Sequence, residues 1–312
     1  MIDFRYHLIS IVAVLLALSL GILVGSGFLG DPLFDDLERR ADAVRESNAD
    51  LRDLADELRD EIQEGERFAD AVEPLITQDR LSGREVVVIA FDGTDGALVG
   101  AIQERVSAAG ASIPTVIRVS SNFDLTTEAD QELLALILRS TLATPEELRT
   151  EAGRLIGTRA AAVAAGEDDG GRRSPVRTRL TSLLDELEEA DFLSIEAVDP
   201  ERVVPGGAMF LVVGGSRDAE PFAIDEFGVA LCAALAEFDA AVLAAEPTPS
   251  VWGLADALRT ESGVAQAVSS VDNADTIPGR ISIILGLERA ALGLIGHYGT
   301  DEKATEVIPS GI

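Results

Sequence analysis

Residues 8–29, LISIVAVLLALSLGILVGSGFL, run for 22 positions without one charged side chain. A helix needs about 20 apolar residues to cross a bilayer, whereas the apolar region of a cleaved secretory signal holds roughly 7 to 15. Gly25, Ser26 and Gly27 could imitate a cleavage site, but they follow a segment already long enough to span. The stretch therefore reads as a retained anchor that contacts membrane lipid through residues 8–29, behind a short N-terminal tail of residues 1–7. Arg5 lies close to one edge, and Asp31, Asp35, Asp36 and Glu38 follow the other. The bias of basic residues toward the cytoplasm then predicts a single-pass protein with the bulk of the chain outside the cytoplasm. Gly21 and Gly25, four apart, form one small-xxx-small pair that would let two such helices approach closely.

Beyond the anchor the composition changes: Asp31 to Arg80 holds 17 acidic residues, seven arginines and a single glycine, Gly65. Pro32 suits the first turn of a new helix, with Asp31 before it as a cap. A heptad repeat fits this segment, with a positions Phe34, Ala41, Asn48, Ala55, Ile62, Ala69 and Ile76 and d positions Leu37, Val44, Leu51, Leu58, Gly65 and Val72. That is a coiled-coil register over residues 31–78, and a parallel homodimer is the expected product, with Asn48 fixing register at some cost in stability. The competing account is a solvated helix whose apolar stripe packs on the next domain. Pro74 and the polar stretch TQDRLSG are expected to end the helix and act as a hinge.

From residue 84 to 299 short apolar strands alternate with helical segments. EVVVIAF (85–91) reads as a strand buried on both faces, and TVIRVS (115–120), AMFLVVGG (208–215), AAVLAAE and AQAVSSV as further strands. Helices are expected over 96–110, 127–141, 145–164, 176–190, around Phe227 and Leu231, around Trp252 to Leu258, and over 279–295. The fold class is α/β: a transmembrane helix, a long coiled-coil helix, then a layered domain with a mostly parallel sheet. GEDDGGRRSP (166–175) is the clearest internal loop, and 300–312 reads as a polar tail.

The chemistry on offer is thin. With 55 acidic against 25 basic residues the net charge is -30, which excludes nucleic acid as a favoured partner. Ligands in parallel sheets sit where strands end and helices begin, which singles out Asp92, Gly93, Thr94, Asp95 and Gly96 in one loop and Gly214, Gly215, Ser216 and Arg217 in another. Neither is a phosphate-binding motif, and ordinary tight turns account for most such loops. A Ser-His-Asp site would have to recruit His297, and no sequence feature marks a serine for it. Asp168 and Asp169 could take a hard cation, although a flexible acidic loop is the simpler account. The soft copper ligands are Cys232, Met209, His7 and His297 plus Met1, too few for a copper relay within one chain. Cys232 stands among apolar residues as a small buried hydrophobe. No cofactor and no enzymatic activity are expected.

The string IDFRYHLISIVAVLLALSLGILVGSG followed by an acidic coil resembles the opening of the actinobacterial MctB family, the so-called copper transporter family, and GHYGT (296–300) is similar to that family's C-terminal signature. The resemblance implies membrane attachment, a periplasmic coil and distal domain, and a role in keeping intracellular copper low. It also implies two further possibilities, since a mycobacterial member is described as an outer-membrane pore and related members act in envelope and division processes with a partner encoded alongside. One helix cannot enclose a channel, so a conducting path would take several chains assembled around Gly21 and Gly25. Copper homeostasis or efflux by an oligomer is the expected function, with a non-enzymatic scaffold recruiting an envelope partner through the distal domain as the alternative.

Overall fold

The structure, a computed structural model, describes residues 4–142, 144–164, 183–197 and 207–310. The loop 166–175, with Asp168 and Asp169, lies outside these residues, as does the first part of the helix expected over 176–190; residues 183–189 are helical and are called α5. The chain divides into two compact units, Met1–Arg67 and Phe68–Ile312.

Helix α1 (Phe4–Thr77) is unbroken for 74 residues, so no second helix begins at Pro32. A proline removes one i→i−4 bond and costs about 3 kcal/mol in a helix interior, but stopping there and restarting would mean forming another costly nucleus. Within the first unit most side chains described on α1 are exposed, including those of the apolar span Phe4–Gly25. Gly21, Gly25 and Gly65 have open space where a side chain would stand.

As expected, the helix ends just after Pro74, at Thr77. Pro74 sits in the last helical turn, and the segment after it is fixed: the Leu81 N–H donates to the Ala109 carbonyl at 2.9 Å and Arg80 approaches Glu288 at 3.4 Å. Ala69 and Ile76 pack on Ile277, Ile281 and Leu285, and the buried Glu73 carboxylate faces Arg105 at 3.6 Å and Arg280 at 3.9 Å. The last two a positions of the heptad are thus used by the chain's own domain, as a docking stripe would use them.

The second unit holds a seven-stranded sheet in the order β3-β2-β1-β4-β5-β6-β7. Its strands are β1 (Val86–Phe91), β2 (Thr115–Val119), β3 (Leu193–Ala197), β4 (Met209–Val213), β5 (Val242–Ala245), β6 (Ser269–Val271) and β7 (His297–Tyr298). All neighbours pair in parallel except β2 with β3, an antiparallel edge. The central strands β1, β4 and β5 are buried at every position, as their unbroken apolar runs require when helices cover both faces. Helices α2 (Gly96–Ala108) and α9 (Ile277–Ala290) cover one face. The other carries α3 (Glu128–Leu138), α4 (Pro145–Ala164), α6 (Ile224–Ala236) and the short α7 (Leu254–Thr260) and α8 (Ser262–Ala265) over a cluster of Phe91, Phe123, Phe222 and Phe227. Gly153 and Gly157 let α4 lie directly on α6; a Cβ at Gly157 would stand 2.5 Å from the Leu231 carbonyl oxygen.

The polar residues after Thr300 do not hang free. Ile308 joins Ile281 and Leu285, Ser282 donates to the Val307 carbonyl at 3.2 Å, and Arg289 donates to the Ser310 carbonyl at 2.5 Å. Polar composition reads as a tail, but its backbone carbonyls are what α9 binds.

Candidate functional site

Strands β1 and β4 are neighbours, and from them the chain winds outward in opposite directions, to β2 on one side and β5 on the other. In open parallel sheets a crevice forms at the carboxyl ends of such a pair. The two glycine loops singled out from the sequence are the two walls of that crevice. After β1, Asp95 caps α2 by accepting the Ala97 N–H at 2.8 Å, and Asp92 accepts the Ser121 N–H at 3.1 Å, tying the loop to the end of β2. Gly93, at φ +83°, lies against Pro221 and the Trp252 indole. After β4, Gly215 turns at φ +92° where a Cβ would meet the Glu246 and Ser250 side chains at 2.8 Å.

A cavity of about 520 Å³ opens between these loops, lined among others by Asp95, Gly215, Arg217, Asp218, Pro247 and Asp275. The structure therefore brings Asp95, Gly215 and Arg217 together, while Asp92 is used on Ser121 and Gly214 packs on the Phe91 ring. Arg217 donates to the Thr248 carbonyl at 3.2 Å and Asp275 accepts the Thr248 N–H at 2.8 Å, so both ends of one residue's backbone are held. Three carboxylates face one guanidinium here, and the α2 terminus already has a carboxylate cap where a phosphate would bind. The crevice is built against anions.

Sequence reasoning misses a second cavity, about 550 Å³, at the ends of β5 and β6, whose lining includes Glu220, Asp225, Glu246, Asp256, Asp272 and Asp301. No motif marks it, because its carboxylates come from five separate segments. Glu246, 7% exposed, accepts the Ala255 N–H at the start of α7 at 2.8 Å. Burial is the largest cause pushing its carboxyl up to about 7; the Ala255 N–H and Arg259 oppose that shift, and Asp272 and Asp256 add to it.

Beside this cavity the segment GHYGT (296–300) closes the sheet edge as a latch built around the Arg259–Asp272 pair. Arg259 and Asp272, 2% and 5% exposed, pair at 2.7 Å. Arg259 also donates to Ser270 Oγ at 2.8 Å and to the Tyr298 carbonyl at 2.9 Å, and Asp272 accepts the Thr300 N–H at 2.7 Å. Gly299, at φ +130°, leaves no room for a Cβ beside the Asp272 carboxylate. His297 Nε2 stands 3.0 Å from the Ala265 carbonyl, so it carries the proton, and Nδ1 accepts from Ser270 Oγ at 2.9 Å. His297 does have a serine partner. That serine is fully buried and also takes a hydrogen bond from Arg259, so the pair serves the fold and has no route to a substrate. Burial, aided by Arg259, lowers the His297 pKa, and the hydrogen bond to the Ala265 carbonyl opposes that shift.

Soft ligands stay apart. Cys232 is buried in α6, where desolvation drives its thiol pKa upward, and Met209 is buried in β4. Among the described residues no three His, Cys, Asp or Glu side chains gather in a way that could hold a metal ion.

The positions expected to drive association lie on the exposed helix. Leu37, Val44, Leu51, Leu58 and Ile62 are 48 to 61% exposed, and Asn48 donates to the Val44 carbonyl of its own helix at 2.9 Å. Gly21 and Gly25 are likewise uncovered.

A family model described as "Copper transport outer membrane protein, MctB" matches residues 1–309. Proteins named copper transporter MctB from Mycobacterium tuberculosis (strain ATCC 25618 / H37Rv) and Mycobacterium bovis are each 27% identical over 320 residues, covering 99% of this chain and 100% of theirs. The Mycobacterium leprae protein of the same name is 28% identical over 321 residues, covering 98% of this chain and 99% of its own. Matched from the apolar helix through the latch at His297, the chain belongs to the MctB family.

Proposed function

We propose that this chain acts in copper homeostasis or efflux across the cell envelope, anchored once through residues 8–29 with its α/β domain outside the cytoplasm, and working as an oligomer. The carrying observation is the end-to-end match to a family of copper transport proteins. Among the described residues one helix, Phe4–Gly25, is long and apolar enough to span a bilayer, and one helix cannot enclose a path for an ion. Copper handling therefore calls for several copies, or for a partner that supplies the path. Close approach of apolar spans at the small-residue pair Gly21 and Gly25, which stand uncovered, is the route by which copies of this chain would assemble.

A second reading is an envelope scaffold that recruits a partner through its distal domain. It is favoured by the absence of any gathered metal ligands among the described residues of that domain and by the two carboxylate-lined cavities at its strand ends. Deleting the gene and measuring cellular copper by mass spectrometry separates the two. Copper efflux predicts several-fold accumulation and growth arrest at raised copper, both reversed by the full chain. Unchanged copper content with altered septation or cell shape would overturn efflux in favour of the scaffold.

A further inference from the structure

We propose that the exposed face of α1 between Leu37 and Ile62 is a docking surface for an unlike helix, one that carries acidic flanks where this chain presents arginine. The inference is independent of copper handling, since it concerns what covers the seam and not what is transported.

Three observations carry it. The seam is mostly apolar and uncovered: Leu37, Val44, Leu51, Leu58 and Ile62 are large side chains left in the open at a and d spacing, with the polar Asn48 at one a position among them. Over 26 residues this is a contact of roughly 40 Å. It cannot continue through Ala69 and Ile76, which pack on α9.

The flanks of that seam set the partner. On the e side Glu38 is followed by Arg45, Arg52 and Arg59, and the g side reads Arg40, Ser47, Leu54, Glu61. In a parallel, in-register pair each g residue meets the e residue five positions further along the other helix. Two copies would set Arg40 against Arg45 and Glu61 against Glu66, while Ser47 and Leu54 would meet Arg52 and Arg59. Two contacts are repulsive and none is attractive. An antiparallel pair centred on Arg52 would set the three e arginines against one another. A second copy is thus a poor electrostatic match in either direction, and an acidic-flanked helix satisfies all three arginines.

Finally, the arginines are free to turn. Arg45 bridges Asp42 at 2.7 Å and Arg59 bridges Asp56 at 2.5 Å, all four side chains well exposed, and Arg52 has no ion-pair partner among the described residues. Exposed pairs of this kind add little to a helix, so redirecting them to a partner costs little. The apolar Leu54, half exposed on the g flank, widens the surface such a partner would cover.

The test uses the full chain in detergent micelles and two fluorescent synthetic helices with one Leu/Ile/Asn seam, differing only in having Glu or Arg along both flanks. Fluorescence anisotropy should show the Glu helix binding at least tenfold more tightly at low salt, with the advantage shrinking as salt rises. The triple change Arg45→Glu, Arg52→Glu, Arg59→Glu should invert that preference, and the milder Arg45→Gln, Arg52→Gln, Arg59→Gln should abolish it with helical circular dichroism unchanged. Equal binding of the two helices, or binding of neither, overturns the proposal. So does sedimentation of the chain as a homodimer that excess Glu helix fails to displace, which would assign the seam to a second copy.

Discussion

Arginine–carboxylate pairs occur in two contrasting settings in this molecule. At the latch, Arg259 and Asp272 are nearly inaccessible, and their further hydrogen bonds are directed at Ser270, Tyr298 and Thr300. On α1, Arg45 and Asp42 or Arg59 and Asp56 meet at similar distances, but in water. The geometry is alike and the consequence is opposite. Removing one partner of a buried pair leaves a charge with no solvent to receive it, whereas an exposed pair exchanges one solvated partner for another. The domain is held by the first kind, and the second is free to exchange partners with water.

Breaking the latch should produce the largest effect. Asp272→Ala strands the Arg259 guanidinium and should cost about 3–5 kcal/mol, lowering the Tm of the distal domain by roughly 6 to 20 °C in a thermal melt. A loss below about 1 kcal/mol would mean that the latch is less buried than the geometry requires. Glu246 sharpens the comparison, because it is buried without a cation bonded to it. Its folded pKa of about 7 stands above its ordinary value of 4.5, so the fold holds the proton more tightly than the unfolded chain does. That contribution is whole below about pH 4.5 and is lost as pH rises through 7. Glu246→Gln should remove the slope, and the difference between the two pH–stability curves from pH 4 to 8 should reach about 3 kcal/mol. Parallel curves would show that the carboxylate is solvated.

Two further changes should have smaller effects. Ser270→Ala leaves Arg259 Nε and His297 Nδ1 without their shared hydroxyl and should cost about 1–3 kcal/mol by chemical denaturation. At the far end of the scale, Arg45→Ala with Arg59→Ala should change stability by less than about 1 kcal/mol, and any larger loss would show that these α1 arginines are structural.

What is legible in the sequence divides in the same way. The apolar helix Phe4–Gly25 and the buried strands β1, β4 and β5 announce themselves through apolar runs, because a strand covered on both faces has no polar side to blur it. Edge strand β3 does not: it is five residues long and alternates Leu193, Ser194, Ile195, Glu196, a pattern easily absorbed into the end of α5. Pro32 and Asp31 carry a start signal that divides α1 into two helices on paper, and a continuous ladder overrides it. Of the two loops at the switch point, Asp95, Gly215 and Arg217 fall on the right edge from strand order alone. The carboxylates around Glu246 cannot be found that way, since segments as distant as Glu220 and Asp301 meet only after the sheet closes.

The latch also bears on when the domain can become itself during synthesis. Arg259 needs the Tyr298 carbonyl, Asp272 needs the Thr300 N–H, and β7 pairs with β6 through His297 and Tyr298. These late groups lie C-terminal to the helices and strands they complete. A nascent chain emerging from the ribosome or through a membrane therefore carries an unfinished sheet edge and an incompletely satisfied ion pair until residue 300 arrives. Commitment to the folded domain waits for residues 297–300, and a stop before His297 would leave even an otherwise full set of helices unlocked.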